Sequence, residues 1–494
     1  MNLTILLDMA ADGFGDRVVV GTREAGITAG QLQQLSYGGA AVLRSQGADA
    51  VVFLAVNGPA FPVAMFAAAR AGVPLIPMNY RLGTDQLDEL LAHHPGALGI
   101  AEGDQALALA RAGIATLTPE QWLLAAAAPA EAVEPDDATA AVLIYTSGTT
   151  STPKCVVLRH SNLVSYVLAS VEFAGADDDQ AALMSVPPYH IAAVANAITN
   201  LFAGRRCLTL ENFAPDEWLD LVRSEGITNA LVVPTMLARI MQDERGDRSV
   251  PTLRTLAYGG ARMPVQIIEQ ALDTWPHVDF VNAYGLTETS STVAVLGPED
   301  HRAARAADDP AVRARLSSAG KVVPAIEMEI RDPAGEVLPA GTTGRIWVSG
   351  EQVSGEYVGS APAVDARGFF DTRDEGYLDQ DGYLFIGGRT DDTIIRGGEN
   401  IAPAEIEDAL LRHAAVVDAV VIGVPDDEWG QRLEAVVVAA PGVDLDPEEL
   451  RTHVRGLLRS SKTPERIVVW SDLPRTETGK LVRRHVLDRL LSDH

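Results

Sequence analysis

Hydrophobic positions cluster in two alternating patterns over roughly the first 300 residues. Short β-branched or aliphatic runs at 51–56, 73–77 and 97–101 read as strands, and the stretches at 61–71 and 87–94 carry the spacing of helices. Further along, 227–233 and 253–257 read as strands feeding turns, and 264–274 as a helix that stops before Pro276. Strand–helix–strand alternation predicts parallel sheets covered by helices, because parallel neighbours need a crossover between them. From about 326 to 386 the pattern shortens. Strands such as 327–331 and 344–349 alternate with Gly, Pro and Asp turns, which predicts a small antiparallel, barrel-like β subdomain. Residues 302–315, rich in Ala, Arg and Asp, read as a surface excursion, and the Ala/Glu segment 129–135 between two prolines reads as a linker. Near 389–392 the chain changes again, to a mixed unit with helices at 403–413 and 447–458 and strands at 416–424 and 433–440.

Composition limits the function classes. A chain of 494 residues exceeds a single ordinary domain. A formal net charge of −28 argues against a nucleic-acid partner, since a phosphate backbone repels such a surface. The chain holds only the lysines Lys154, Lys321, Lys462 and Lys480, so positive charge for an anionic substrate must be concentrated locally. Two cysteines, Cys155 and Cys207, give no disulfide framework and point to a reducing compartment. The N-terminus lacks a basic region followed by a long apolar core, and no apolar run reaches the roughly 18 residues of a membrane span. A cytoplasmic protein with no integral membrane segment is the expectation.

The candidate chemistry begins at Ile144-Tyr145-Thr146-Ser147-Gly148-Thr149-Thr150-Ser151-Thr152-Pro153-Lys154. An apolar run at 140–143 leads into a hydroxyl-rich, glycine-containing loop closed by a lysine. Backbone N–H groups, hydroxyls and one ammonium are the donors that phosphate oxygens require. The spacing is not that of a Walker A loop, and on its own it would also suit a Ser/Thr-rich surface turn.

Three other segments accompany it: 282–289 (Asn-Ala-Tyr-Gly-Leu-Thr-Glu-Thr), 382–392 with 396–401, and 474–480 (Pro-Arg-Thr-Glu-Thr-Gly-Lys). Together, in this order, the four segments resemble the signatures of the adenylate-forming enzymes: acyl- and aryl-CoA synthetases, adenylation domains and firefly-type luciferases. The resemblance implies a large AMP-binding domain over 1–389, a hinge at 390–392 and a small mobile α+β domain over 393–494. The implied reaction is attack of a carboxylate on ATP, releasing pyrophosphate, followed by transfer of the acyl group from the adenylate to coenzyme A. The implied substrates and cofactors are a small carboxylic acid, ATP, Mg²⁺ and CoA.

The resemblance also assigns roles. Thr146, Ser147, Gly148, Thr149, Thr150 and Lys154 clamp the β- and γ-phosphates. Gly259, Gly260, Ala261, Asn282, Ala283, Tyr284 and Gly285 surround the adenine. Glu288 holds Mg²⁺, and Thr287 reaches the α-phosphate. Asp374 and Arg389 hold the ribose, Lys480 bridges the carboxylate and the α-phosphate, and Asp391 is the pivot. Gly397, Gly398 and Glu399 line the channel for the thiol. His190 gates the acyl pocket, which Val233, Tyr258, Gly259 and Gly285 help to bound; a structural histidine is the competing reading. The chain departs from the family at Ser151, Cys155 and Arg373, where glycine is usual, and a side chain at a position needing positive φ costs about 1 kcal/mol.

Two other functions compete with the CoA ligase. A stand-alone adenylation enzyme would load a carrier protein or an amine, and a catalytically weakened binding protein would keep only the fold. Lys480, Glu288, Asp374 and Arg389 argue against the weakened protein.

Overall fold

The computed structural model describes residues 1–132, 138–146, 153–242, 246–389, 392, 394–396, 399–426, 429–440, 442–458, 460–476 and 481–492, with backbone alone at 399 and 400. The expected α/β architecture is present: large sheets of mostly parallel strands covered by helices, then a smaller α+β unit. One sheet has six strands in the order Ala115–Leu117, Leu98–Ala101, Val51–Leu54, Leu75–Pro77, Ala140–Thr146, Lys154–Arg159. All its pairings are parallel except the last. Val51–Leu54 and Leu98–Ala101 are buried throughout, which is why their sequence reads as continuous apolar runs and not as alternation.

The second sheet has 13 strands. Its parallel part includes Ala181–Met184, Asn229–Val232, Thr255–Gly259 and Asp279–Leu286. The antiparallel meander at 327–389 does not stand apart. It joins the parallel part edge to edge through Ser291–Leu296 and Gly320–Val322, so one continuous sheet carries both. In the smaller unit the antiparallel pair Val416–Asp426 and Gly430–Ala439 receives Arg466–Trp470 in parallel.

Local signals account for several element ends. Thr28 and Gln31 form a capping box at the start of the helix Ala29–Ser45, and Thr118 and Gln121 do the same for Pro119–Ala126. The helix expected at 87–94 spans Thr84–Leu91: it starts one turn earlier, on the polar Thr84-Asp85, and ends before the two histidines. Residues 302–315 lie mostly at the surface, as expected, and are largely helical. They belong to the helices Pro298–Ala306 and Pro310–Arg313 and the 3-10 turn Ala314–Ser317, with His301, Ala304 and Leu316 in the core. Alanine and arginine concealed one buried stripe on an otherwise charged helix. Among the described residues, no helix is long and apolar enough to cross a membrane.

Candidate active site

The phosphate-loop segment is a hairpin. Ala140–Thr146 pairs antiparallel with Lys154–Arg159, and Thr146 stands opposite Lys154, its hydroxyl 3.4 Å from the Lys154 carbonyl. Ser147, Gly148, Thr149, Thr150 and Ser151 lie outside the described residues. The strand entering the loop is fixed from below by Tyr145, whose hydroxyl lies 2.8 Å from His94 Nε2. Cys155 is buried in the returning strand, outside the left-handed region, so strain at this departure is not realised. Burial pushes its thiol up to about 11, which leaves it protonated and unreactive at neutral pH.

The Lys154 ammonium lies 5.4 Å from the centroid of the Tyr357 ring, within cation–π range. The Tyr357 hydroxyl donates to Glu288 Oε1 at 2.8 Å. Glu288 sits in the 3-10 turn Thr287–Thr289, which follows the strand Asp279–Leu286. The turn is tightly held. Leu286 N donates to Thr289 Oγ1 (2.9 Å), the Ser290 hydroxyl donates to the Gln352 carbonyl (2.8 Å), and Gln352 Nε2 donates to the Thr289 and Thr292 carbonyls (3.0 and 2.9 Å). Ser290 and Ser291 carry φ of 54° and 115°, a strained exit stabilised by these bonds. Among the described residues, Glu288 Oε2 has no protein hydrogen-bond partner, and no cluster of three potential metal ligands exists. One half-buried carboxylate with a free oxygen suits Mg²⁺, which takes few protein ligands beside substrate phosphates.

A second group assembles across one sheet, Asp374 and Arg389 on paired strands and Tyr284 on a strand farther along it. Tyr284 donates to Asp374 Oδ2 at 2.6 Å, and Arg389 Nε donates to Oδ1 at 3.1 Å. Asp374 and Arg389 face each other across paired strands, and the Asp374 backbone N–H donates to the Thr372 hydroxyl. Both carboxylate oxygens accept these bonds, which fix the orientation of Asp374. Burial, and then the Asp374 charge, raise the Tyr284 phenol well above its ordinary value, so it remains a donor. Arg373 lies at φ 61°, so this departure from glycine does occupy the left-handed region. The Arg373 and Arg389 charges also act on the Tyr357 phenol, against the raising effects of its burial and of Glu288.

The glycines are required by close approach. A side chain at Gly285 would place its Cβ 1.7 Å from the Ser291 carbonyl oxygen, and one at Gly259 would meet the Ala283 carbonyl oxygen at 2.3 Å. Gly260 turns the chain at φ +80°, with Ala261 after it, and Val233 Cγ1 lies 3.8 Å from where a Gly260 Cβ would be. Gly259 and Ala283 are paired neighbours, as are Tyr258 and Asn282. Two expected wall residues face other partners. Tyr258 is fully buried with its hydroxyl 2.8 Å from His301 Nε2, so it is a core residue behind the sheet and does not line an acyl pocket. The Asn282 amide donates to the Ser318 carbonyl at 2.9 Å.

His190 precedes the helix Ile191–Ala203, its ring against Tyr189 at a centroid distance of 4.5 Å. Its Nε2 is buried without a partner among the described residues, and burial lowers the imidazole to about 4. Lys480, Asp391, Gly397 and Gly398 lie outside the described residues; Glu399 is placed only as the first residue of the short strand Glu399–Ile401.

Sequence reasoning missed Tyr357, Ser354 and Gln352. Residues 352–358 tie the hairpin to the Glu288 turn: Val157 N donates to Glu356 O (2.9 Å), Val358 N to Cys155 O (2.9 Å) and Ser354 N to Glu288 O (2.8 Å). Arg159 and Glu356 add a bidentate pair at 2.9 and 2.7 Å, between residues 197 positions apart. No local periodicity marks a contact of that range.

The model of the AMP-binding enzyme family matches residues 7–358, and that of the AMP-binding enzyme C-terminal domain matches 405–480. A feruloyl-CoA synthase of Amycolatopsis sp. is 35% identical over 455 residues, covering 89% of each chain. The fatty acid–[acyl-carrier-protein] ligase ScoC of Streptomyces coeruleorubidus is 32% identical over 470 residues, covering 90% of this chain and 87% of that protein. The ATP-bound structure of MatB from Rhodopseudomonas palustris superposes with a TM-score of 0.87 over 99% of each chain at 27% identity. Family models that match most of the chain, and a fold shared end to end with MatB, place this chain in the family of AMP-binding, adenylate-forming enzymes.

Proposed function

We propose that this chain joins a carboxylic acid to the thiol of coenzyme A in two steps at one cleft. In the first, a carboxylate oxygen attacks the α-phosphorus of ATP, the bond to the bridging oxygen of pyrophosphate breaks, and an acyl-adenylate forms. In the second, the thiol attacks the acyl carbon, AMP leaves and the thiol proton passes to solvent. Two anions must meet in the first step, so positive charge and alignment supply most of the acceleration.

Lys154 and the hydroxyls of the hairpin loop hold the terminal phosphates, with Thr287 toward the α-phosphate. Asp374 receives the ribose hydroxyls, steadied by Tyr284 and Arg389, while Gly259, Gly260, Ala261, Ala283 and Gly285 leave room for the base. Glu288 is the carboxylate that would hold Mg²⁺, which when bound neutralises phosphate charge. Lys480 delivers the cation at the reacting centre, and the unit over 393–494 swings about Asp391 so that Gly397, Gly398 and Glu399 admit the thiol. His190 faces the acyl group as a neutral imidazole.

The observation that supports this reading is that Lys154 and Glu288, from a hairpin and a turn far apart in sequence, meet at Tyr357, while Tyr284 and Arg389 both bind Asp374. A second reading, transfer to a carrier-protein thiol, is favoured by the acyl-carrier-protein ligase among the relatives. Mass spectrometry of a reaction with ATP, Mg²⁺, CoA and a panel of aliphatic and aromatic acids tests both. An acyl-CoA product supports the CoA ligase. Acyl-adenylate that persists until a phosphopantetheinylated carrier is added supports the second reading and overturns the first.

A further inference from the structure

Tyr357 touches both charged partners of the proposed phosphate site. Its ring carries the Lys154 ammonium at 5.4 Å and its hydroxyl donates to Glu288 Oε1 at 2.8 Å. The phenol's own position is fixed on both sides. An antiparallel bridge pairs Tyr357 with Val156, flanked by the Val157–Glu356 and Val358–Cys155 bonds, and Ser354 N donates to the carbonyl of Glu288 itself. The spacing between a cation on the hairpin and a carboxylate on the turn is therefore set by one rigid aromatic ring anchored in a backbone ladder.

We propose that Tyr357 is a positioning residue for nucleotide and metal, resting on the adenylation reading above. By occupying Oε1, the phenol leaves Glu288 with one oxygen for the metal and fixes the direction in which it points. The ring face holds Lys154 toward the same phosphates without neutralising it, as a carboxylate partner would. A flexible lysine tied to a quadrupole keeps its charge available while losing less rotamer freedom when the phosphates arrive. Groups that orient a metal ligand typically change metal affinity by about 10–100-fold when removed.

Two variants separate the two contacts. Tyr357→Phe keeps the ring and deletes the donor; Tyr357→Leu deletes both. Calorimetric titration of ATP at a series of Mg²⁺ concentrations, beside acid-dependent pyrophosphate exchange and thermal melting, reads them. For Tyr357→Phe the expected result is roughly a tenfold higher Mg²⁺ requirement, in both binding and exchange, with an unchanged melting temperature and acid KM. For Tyr357→Leu, ATP binding is expected to weaken further even at saturating Mg²⁺. A Tyr357→Phe protein with wild-type Mg²⁺ dependence overturns the proposal, as does a loss explained wholly by a lower melting temperature. If the wild-type protein exchanges no pyrophosphate with any acid, the functional reading fails instead. Calorimetry still decides the role of Tyr357, since equal Mg²⁺ dependence of ATP binding in wild type and Tyr357→Phe would sink it.

Discussion

Arg373 is a strained residue next to Asp374 in the candidate site. At φ 61° its Cβ crowds its own backbone, a conformation that costs an L-residue about 1 kcal/mol relative to glycine. Its side chain is exposed, and its N–H donates to the Asp371 carboxylate in the turn. Arg373→Gly should therefore raise the stability of the ligand-free protein by roughly 0.5–1 kcal/mol, read as a higher denaturation midpoint at unchanged slope. His190 makes a pH prediction. Its folded-state value, about 4, lies below the ordinary 6.5, so above pH 6.5 both folded and unfolded states hold it neutral. As pH falls from 6.5 toward 4, the unfolded chain binds a proton that the folded protein refuses, and stability declines. A His190→Gln variant should lose less stability than wild type between those two values, and parallel melting curves would contradict the burial argument.

Scale changes what a sequence can reveal at the level of elements. The strands Val51–Leu54 and Leu98–Ala101, the helix Val265–Thr274 and the strand Ala140–Thr146 entering the loop were legible because local pattern and turn chemistry agree with the fold. The helix Pro298–Ala306 was not, because only its His301 and Ala304 face inward and charged residues dominate its composition. Tyr258 was misplaced for a related reason. The resemblance put it at the acyl pocket, and only the buried His301, 43 positions away, explains why it turns into the core. The join of meander and parallel sheet through Gly320–Val322 depends on pairings no local window contains. The strand Asp279–Leu286 bends at a bulge between Tyr284 and Gly285, where the neighbouring strand comes too close for any side chain. Gly285→Ala should cost several kcal/mol, on the order of 3, and deplete folded protein; a melting temperature within a degree or two of wild type would refute the close-approach reading.

Several bonds between the larger and the smaller unit start beside the proposed adenine turn. Arg262 pairs with Asp408 and donates to the Ala404 carbonyl, and Gln266 Nε2 donates to the Leu411 carbonyl, all on the helix Pro403–Leu411. Burial raises the Asp408 carboxyl, with Arg262 acting against it. Loss of these bonds in Arg262→Ala should accelerate hydrogen exchange in Pro403–Leu411 by roughly tenfold while sparing Val265–Thr274. Equal exchange in both helices would show that the tie carries no weight. On the proposed mechanism these contacts must break once per turnover, when the smaller unit swings, so Asp391→Pro should retain adenylate formation and lose thioester formation.

The central claim, that this cleft activates carboxylates with ATP, is tested most directly by acid-dependent exchange of labelled pyrophosphate into ATP. Exchange that requires an acid from the panel, and falls by at least about a hundredfold in both Lys480→Ala and Glu288→Gln, is the predicted result. No exchange with any acid while ATP still binds, or exchange that both variants retain, would contradict it.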